Sequence, residues 1–310
     1  MSTEIRVEFT RRPSAAAYML RTLSSPPGRK GTADFPPIRA IWRGHRIDRR
    51  HLADFLRFAG LRCGRDLPML YPHVFGFPLQ MVILMHPAFP IRPWRVLQIR
   101  NHLLQHRPIP ADSVLDIDAS VAGRRILPKG VEVDLHTVVR VRNERMWESL
   151  NTFYYRGRYG EADPVPQTER APEVGGGVVD RWRPLSGTGW RMGGFTGDYN
   201  GIHYWSWYAR RFGFPRALHH PQLILGQCLA RLPIPGTGRE SQRLETWLKG
   251  PVFHDSDVNL FAQTGPEGAT FRLIPSGEER PAILGRWSSG PGKIRTPDGG
   301  GGEETRPLSS

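Results

Sequence analysis

The sequence of 310 residues has few cysteines, few lysines and no long apolar run. Cys63 and Cys228 lie far apart and outside any CxxC spacing, which excludes a disulfide framework and a cysteine-based zinc site. The most apolar stretch, residues 75–89, is interrupted by Pro78 and Gln80 and is too short to span a bilayer. The first residues lack the apolar core of a secretory signal. The sequence therefore predicts a cytoplasmic protein without a membrane span.

Long repeats and nucleotide-binding motifs are also absent. The sequence has no glycine repeat and no sustained heptad, which excludes collagen-like and coiled-coil structures. It has no Walker-type loop and no GxGxxG, and the glycine run at 299–302 lies in the tail. We therefore predict no cofactor and no bound metal.

Lysine supplies little of the formal net charge of +14. Only four of the 43 basic residues are lysine, and the arginines are scattered over the whole chain without a dense run. A nucleic-acid-binding surface is expected to concentrate its basic residues on one face or stripe. We therefore predict no nucleic-acid partner, and the positive charge favours an acidic partner of another kind.

The apolar fraction of 39% is enough to build a core, and proline and glycine are spread along the chain, which favours a sheet-containing fold. Two similar halves are predicted, each with a strand, a helix, a second, buried helix and four further strands. In the first half these elements are expected at 38–47, 48–62, 79–85, 95–106, 113–122, 131–143 and 146–155. In the second half they are expected at 178–184, 202–212, 221–232, 243–248, 257–264, 269–275 and 282–287.

The segments outside these elements are polar or rich in proline and glycine, and they define the predicted domain boundaries. The expected order is a flexible N-terminus at 1–15, a first unit at 16–159, a linker at 160–178, a second unit at 179–290 and a disordered tail at 291–310.

The most informative segment is F-T-G-D-Y-N-G-I-H, which places Asp198 five positions before His203. In an apolar cleft, a carboxylate and an imidazole can hold a water whose proton the imidazole takes. The spacing alone carries little weight, because a helix-capping Asp followed by a structural His gives the same pattern. Its neighbours Gly197, Asn200 and Gly201 favour the functional interpretation.

The string GDYNGIH resembles the signature G-D-x-N-P-[apolar]-H of the MaoC-like (R)-specific enoyl-CoA hydratases and acyl dehydratases. FGFPRALHHPQLILGQCLARL resembles the segment that leads into that family's central helix, and WLKGPVFHDSDV resembles its following strand. In the first half, YPHVFGFPLQMVILMHPAFP resembles the N-terminal unit of the two-domain members. The resemblance implies an α+β fold of two fused hotdog units, each a curved antiparallel sheet wrapped around a central helix.

The resemblance implies that Asp198 and His203 are catalytic and that Asn200 shapes their loop. The implied reaction is the reversible addition of water to a trans-2-enoyl thioester, which gives a 3-hydroxyacyl thioester. The implied partner is an acyl thioester of CoA or of an acyl carrier protein, and a homodimer is left open. Two alternatives remain: a non-catalytic acyl-thioester-binding or scaffold protein, and a hotdog thioesterase.

The chain departs from the family pattern at two positions. Gly201 stands where the family has Pro, and Pro221 stands where the family often has a Gly whose N–H binds the thioester oxygen. Since proline has no N–H, three outcomes stay open: the backbone N–H of His220 donates, that of Gln222 donates, or activity is impaired. The substrate-binding candidates are therefore Asn200, Gly201, His220 and Gln222. The first half contains no Asp-x4-His and is expected to line the acyl tunnel without a catalytic pair.

Aromatic and basic residues follow the motif. Trp205, Trp207 and Tyr208 are expected to be core aromatics. Arg210 and Arg211 fit either the phosphates of a thioester at the pocket mouth or a solvated surface.

Three weaker candidates lie elsewhere. Adjacent residues rarely face the same point, so His219 and His220 are not expected to bind a metal together. His102 and His106 are expected to be structural or solvated. Cys228 is expected to be a buried apolar residue in a helix.

Overall fold

The strands of both halves form one continuous sheet in the computed structural model. The structure describes residues 3–14, 17–18, 35–62, 64–91, 96–164, 170–232, 234, 241–266, 268–290 and 292–294. The strands of the first half are β1 Ile5–Phe9, β2 Ile38–Arg46, β3 Val96–Gln105, β4 Val114–Leu127, β5 Gly130–Val141 and β6 Glu144–Arg156. Those of the second half are β7 Gly177–Trp182, β8 Gln242–Leu248, β9 Val258–Gly265, β10 Gly268–Pro275 and β11 Ile283–Ser289.

The strand order is β1-β2-β4-β5-β6-β3-β8-β11-β10-β9-β7. The β1–β2 pair is parallel, and the other pairs of neighbouring strands are antiparallel. The halves meet where β3 pairs with β8, with Asn101 opposite Thr246. Backbone hydrogen bonds therefore join the two halves through the middle of the sheet.

Helices α1 Arg49–Ala59 and α2 His73–Leu84 lie between β2 and β3. Helix α1 begins where the sequence predicts, because the Asp48 side chain accepts hydrogen bonds from the N–H groups of Arg50 and His51. Helix α2 is apolar on all sides and packs on β2, β4 and β5. The amide nitrogen of its buried Gln80 donates hydrogen bonds to Thr137 and Asn151 at 3.0 and 2.8 Å. Helix α2 is the predicted central helix, and it begins earlier than expected.

The second half contains α3 Gly189–Thr196, a 3-10 turn at Gly201–His203, α4 Ser206–Arg210 and α5 Pro221–Arg231. Helix α5 is the second central helix, with Leu223, Ile224, Leu225, Gly226 and Cys228 buried. The predicted helix at 202–212 is wrong, because the chain is extended at Trp205 and divides this segment into the 3-10 turn and the short α4. Helix α3 was not predicted.

A strand lies within the N-terminal segment that the sequence predicts to be flexible. Its alternation of apolar and charged residues, IRVEF, is that of a strand, and Ile5 pairs with Ile38 of β2. Beyond this strand, the Arg12 guanidinium donates hydrogen bonds to the carbonyl oxygens of Gly194 and Phe195 at the C-terminal end of α3. The N-terminus therefore contacts the second half.

Strand β7 begins at Gly177, two residues inside the predicted linker. Residues 291 and 295–310 of the predicted tail lie outside the described residues. Within the described part of the chain, no helix is long and apolar enough to cross a membrane.

Candidate active site

The loop that carries Asp198 is fixed by hydrogen bonds at both ends. Helix α3 ends at Gly197, which has a φ of +79°, a conformation that favours glycine. The Thr196 hydroxyl accepts from the Asp198 N–H at 3.2 Å, and Asp198 Oδ1 accepts from the Asn200 N–H at 3.1 Å. Asp198 is therefore held by the backbone on one oxygen, and its Oδ2 is available to the site.

Asn200 and Gly201 shape the 3-10 turn that leads to His203. The Asn200 side chain caps this turn by accepting from the Ile202 N–H at 3.3 Å. A Cβ at Gly201 would lie 2.8 Å from a ring carbon of Tyr208. The family's proline at this position would clash with that ring, which gives a physical reason for the glycine.

His203 is buried, and its tautomer follows from its hydrogen bond. Its Nδ1 lies 2.9 Å from the carbonyl oxygen of Leu218, which can only accept, so Nδ1 carries the proton. Nε2 therefore presents a lone pair, and it lies 3.8 Å from Asp198 Oδ2. Burial lowers the pKa of His203, against the opposing effects of Asp198 and the Leu218 carbonyl. His203 is neutral at neutral pH and can accept a proton.

His220 brings a second imidazole to the same carboxylate. Its Nδ1 lies 3.5 Å from Asp198 Oδ2, and its ring stacks on His203 with centroids 3.7 Å apart and an angle of 21° between the planes. Burial, together with neighbouring histidines, holds the pKa of His220 well below its usual value. The sequence identified His220 only as a backbone donor. Its position just before the first residue of a helix was the signal that could have indicated a side-chain role as well.

The ligand atoms of Asp198, His203 and His220 all lie within 4.8 Å of one another. This spacing resembles a carboxylate and two-histidine metal set. However, the two rings are stacked nearly parallel, so their in-plane lone pairs run side by side and do not converge on one point. The arrangement fits a proton-transfer site better than a metal centre, and the absence of a metal stays a prediction.

Helix α5 starts with Pro221 at its first position, as the sequence predicts. The N–H groups of Leu223 and Ile224 donate to the His220 carbonyl oxygen at 3.1 and 3.2 Å. Within the described residues, the Gln222 N–H makes no backbone hydrogen bond, and the buried Gln222 Nε2 has no partner. Gln222 is therefore an available donor at the positive end of the helix.

An apolar cavity of about 400 Å³ opens beside the pair. The residues that line it include Asp198, Asn200, Gly201, His203, His219 and Pro221. His220 and Gln222 do not line it. The first half also contributes, through Phe77 and Met81 of α2, Met85 directly after α2, residues 96–99 of β3, and Phe153 of β6. The first half therefore lines the cavity, and the occupation of this cavity by an acyl chain stays a prediction.

The structure corrects one interpretation of the residues after the motif. Trp205 and Trp207, predicted as core aromatics, are 43% and 53% exposed. Arg210 and Arg211 are also exposed, and the Arg211 guanidinium lies 5.2 Å from the Trp207 ring centroid.

The remaining candidates have structural roles. His106 pairs with Glu148 at 2.9 Å, and His102 is buried beside Trp247. Cys228 is fully buried in α5, and burial raises the pKa of its thiol.

No family model matches the chain. The chain is 28% identical over 226 residues to 3-hydroxyacyl-thioester dehydratase X of Mycobacterium tuberculosis, which covers 72% of this chain and 79% of that protein. A crystal structure of HtdX from the same organism has a TM-score of 0.67 and 23% identity, over 81% of this chain and 99% of that one.

Two further solved structures share the fold. A MaoC-like dehydratase from Phytophthora capsici has a TM-score of 0.66 and 16% identity, over 84% of this chain and 96% of that one. A second M. tuberculosis protein, described as a double hotdog fold, has a TM-score of 0.50 and 14% identity, over 91% of this chain and 94% of that one. The predicted resemblance and the α+β double hotdog fold are confirmed.

Proposed function

We propose that this chain, a relative of a 3-hydroxyacyl-thioester dehydratase with the double hotdog fold of the MaoC-like dehydratases, is a hydro-lyase. It adds water reversibly to a trans-2-enoyl thioester and gives a 3-hydroxyacyl thioester. The observation that carries this proposal is the position of two acceptor atoms, His203 Nε2 and Asp198 Oδ2, 3.8 Å apart on the wall of an apolar cavity.

These two acceptor atoms are spaced so that one water molecule can bridge them. A water about 2.8 Å from each atom can donate one hydrogen to the imidazole and one to the carboxylate. In hydration, the water oxygen bonds to C3 of the enoyl chain as His203 Nε2 takes one of its protons. The proton held by the His203 and Asp198 pair then transfers to C2 as the enolate collapses, which returns both groups to their starting state, and dehydration is the reverse. A positioned base of this kind typically contributes about a hundredfold or more to the rate.

The negative charge that develops on the thioester oxygen requires a hydrogen-bond donor. The start of α5 has the favourable helix dipole, and Pro221 itself cannot donate. We propose this role for a backbone N–H beside Pro221, that of Gln222 or of His220. Pro221 lines the cavity, whereas these two residues adjoin it in the chain without lining the cavity themselves. The missing N–H at Pro221 is also the observation that favours the second candidate, a non-catalytic acyl-thioester-binding protein.

A single assay separates the candidates. Purified protein is mixed with crotonyl-CoA and with a longer trans-2-enoyl-CoA, and both the loss of enoyl-thioester absorbance and the release of free thiol are followed. Loss of absorbance without thiol is expected for a hydratase. Thiol release would identify a thioesterase, and tight binding without turnover would identify a binding protein.

The class of partner follows from the relative, whose name describes an enzyme that acts on acyl thioesters. An acyl thioester is therefore the proposed substrate here, carried by CoA or by a carrier protein. A cytoplasmic location, a homodimer and the absence of a cofactor and of nucleic acid binding stay predictions.

A further inference from the structure

A group of exposed aromatic side chains lies beside the loop that carries Asp198. We define the aromatic patch as Trp190, Tyr199, Trp205, Trp207 and Phe212, whose exposed fractions run from 37% to 58%. Ring centroids of neighbours are close: Trp190 lies 5.9 Å from both Tyr199 and Trp205, and Trp205 lies 5.9 Å from Trp207. Contiguous exposed apolar surface of this kind marks an interaction site.

The aromatic patch is continuous with the opening of the cavity. Tyr199 and Phe212 are exposed on the surface and also line the cavity, so they form part of its rim. Tyr208, another lining residue, connects the rim to the outer patch, with ring centroids 5.1 Å from Phe212 and 5.7 Å from Trp207. A molecule bound to the patch would therefore also lie over the opening of the cavity.

The segment 183–216, which carries the patch, is positively charged. It contains five arginines, and Asp198 is its only acidic residue. Arg183 is paired with Asp257, whereas Arg191, Arg210, Arg211 and Arg216 are exposed, and the Arg211 guanidinium lies 5.2 Å from the ring centroid of Trp207 in the patch. Lys249 is exposed on the cavity wall as well. A partner that fits this surface is acidic.

We propose that the aromatic patch docks an acidic carrier protein, which delivers the acyl thioester into the cavity on a phosphopantetheine arm. This inference rests on the proposed function. Trp, Tyr and Arg are the residue types that carry most of the binding energy in protein interfaces. The adenine and phosphates of a nucleotide thioester would occupy one ring and a few cations, whereas the patch offers five aromatic side chains and extends away from the opening to Trp190.

The experiment compares one crotonyl group on three carriers: N-acetylcysteamine, CoA and an acidic acyl carrier protein. The variants are Arg211→Glu and the double variant Trp205→Ala with Trp207→Ala. Arg124→Glu, an exposed arginine on β4 of the first half, is the matched control. At low salt, both patch variants are expected to raise KM about tenfold for the carrier protein alone, with kcat unchanged. The control is expected to leave all three KM values unchanged.

Each other result contradicts docking of a carrier protein. An equal rise in KM for CoA would show a nucleotide subsite instead. Unchanged KM for the carrier protein would show that the patch does not dock it. A change of oligomeric state, or loss of binding to vesicles of phosphatidylcholine and phosphatidylglycerol, without a change in KM would assign the patch to a second copy or to a membrane.

If wild-type protein turns over no thioester, the proposed function fails. Calorimetric titration with the crotonyl-loaded carrier protein then tests docking directly, and no binding would overturn it.

Discussion

The His220 ring stacks on the His203 ring at a centroid distance of 3.7 Å, while the His203 edge is held by the Leu218 carbonyl. His203 is therefore fixed both on one face and at Nδ1. His203 Nε2 therefore faces Asp198. Through this stack the His220 side chain positions His203, a role different from the backbone N–H donor that the sequence indicated.

We expect His220→Ala to lower kcat about tenfold with little change in KM, because the His203 ring loses its support and misplaced catalytic groups react slowly. His220→Phe keeps a ring in the stack and is expected to retain most of the rate. His254→Ala, which removes a ring that lies 4.6 Å from the His219 ring, between centroids, is the control. Steady-state kinetics measure all three variants. Equal rates for the Ala and Phe variants would show that the stack does not position His203.

We expect Asp198→Asn and His203→Ala each to lower the hydration rate at least about a hundredfold with the fold intact, because each removes one of the two groups that hold the water. Enoyl-thioester absorbance measures the rate, and circular dichroism measures the fold. Near wild-type turnover in either folded variant would show that the site is assigned to the wrong residues.

Pro221→Gly is expected to be neutral or to lower turnover. It supplies the N–H that the family often has, but it loosens the first turn of α5, where Pro221 already has a suitable conformation. The measurement is kcat on crotonyl-CoA. A large gain in rate would contradict a donor already provided by His220 or Gln222, and would indicate a site that has drifted from catalysis.

Acid is expected to destabilise the protein through buried neutral histidines. Burial lowers the pKa of His73 to about 4, from an unfolded value near 6.5. Above pH 6.5 the histidine is neutral in the folded and unfolded states, so its protonation does not change the free energy of unfolding. As the pH falls from 6.5 to 4, the unfolded state binds a proton that the folded state does not, so the free energy of unfolding falls by about 1.4 kcal/mol per pH unit.

Urea unfolding at pH 7 and pH 5 measures this effect. The loss of stability between these values is expected to be about 2 kcal/mol smaller in His73→Gln than in the wild type. An identical loss in both proteins would show that His73 titrates normally in the folded state.

We propose that residues 160–178 link two units that cannot fold apart. If the chain is cut near Gly175, separately purified halves are expected to aggregate, because β3 and β8 would each lose a paired neighbour in the middle of the sheet. Size-exclusion chromatography and thermal unfolding measure the outcome. Soluble halves with cooperative unfolding would contradict this division.

Local signals in the sequence were sufficient for most elements of the fold. Asp48 predicted the start of α1 because a cap acts on the next turn of its own helix. The alternation at Val131, Val133 and Leu135 predicted β5 because successive side chains in a strand face opposite sides. The same alternation at Ile5–Phe9 was available but was outweighed by the polar composition around it.

The conformation of the loop that carries Asp198 and His203 follows from the local sequence, since a short segment with its own glycines and caps joins the two residues. The surroundings of that loop follow from the packing of the whole chain. The stacking of His220 on His203, the contribution of Phe77 and Met81 to the cavity and the exposure of Trp205 all depend on elements distant in sequence. A residue's burial and partners are set by what the rest of the chain packs against it, and no local pattern encodes that packing.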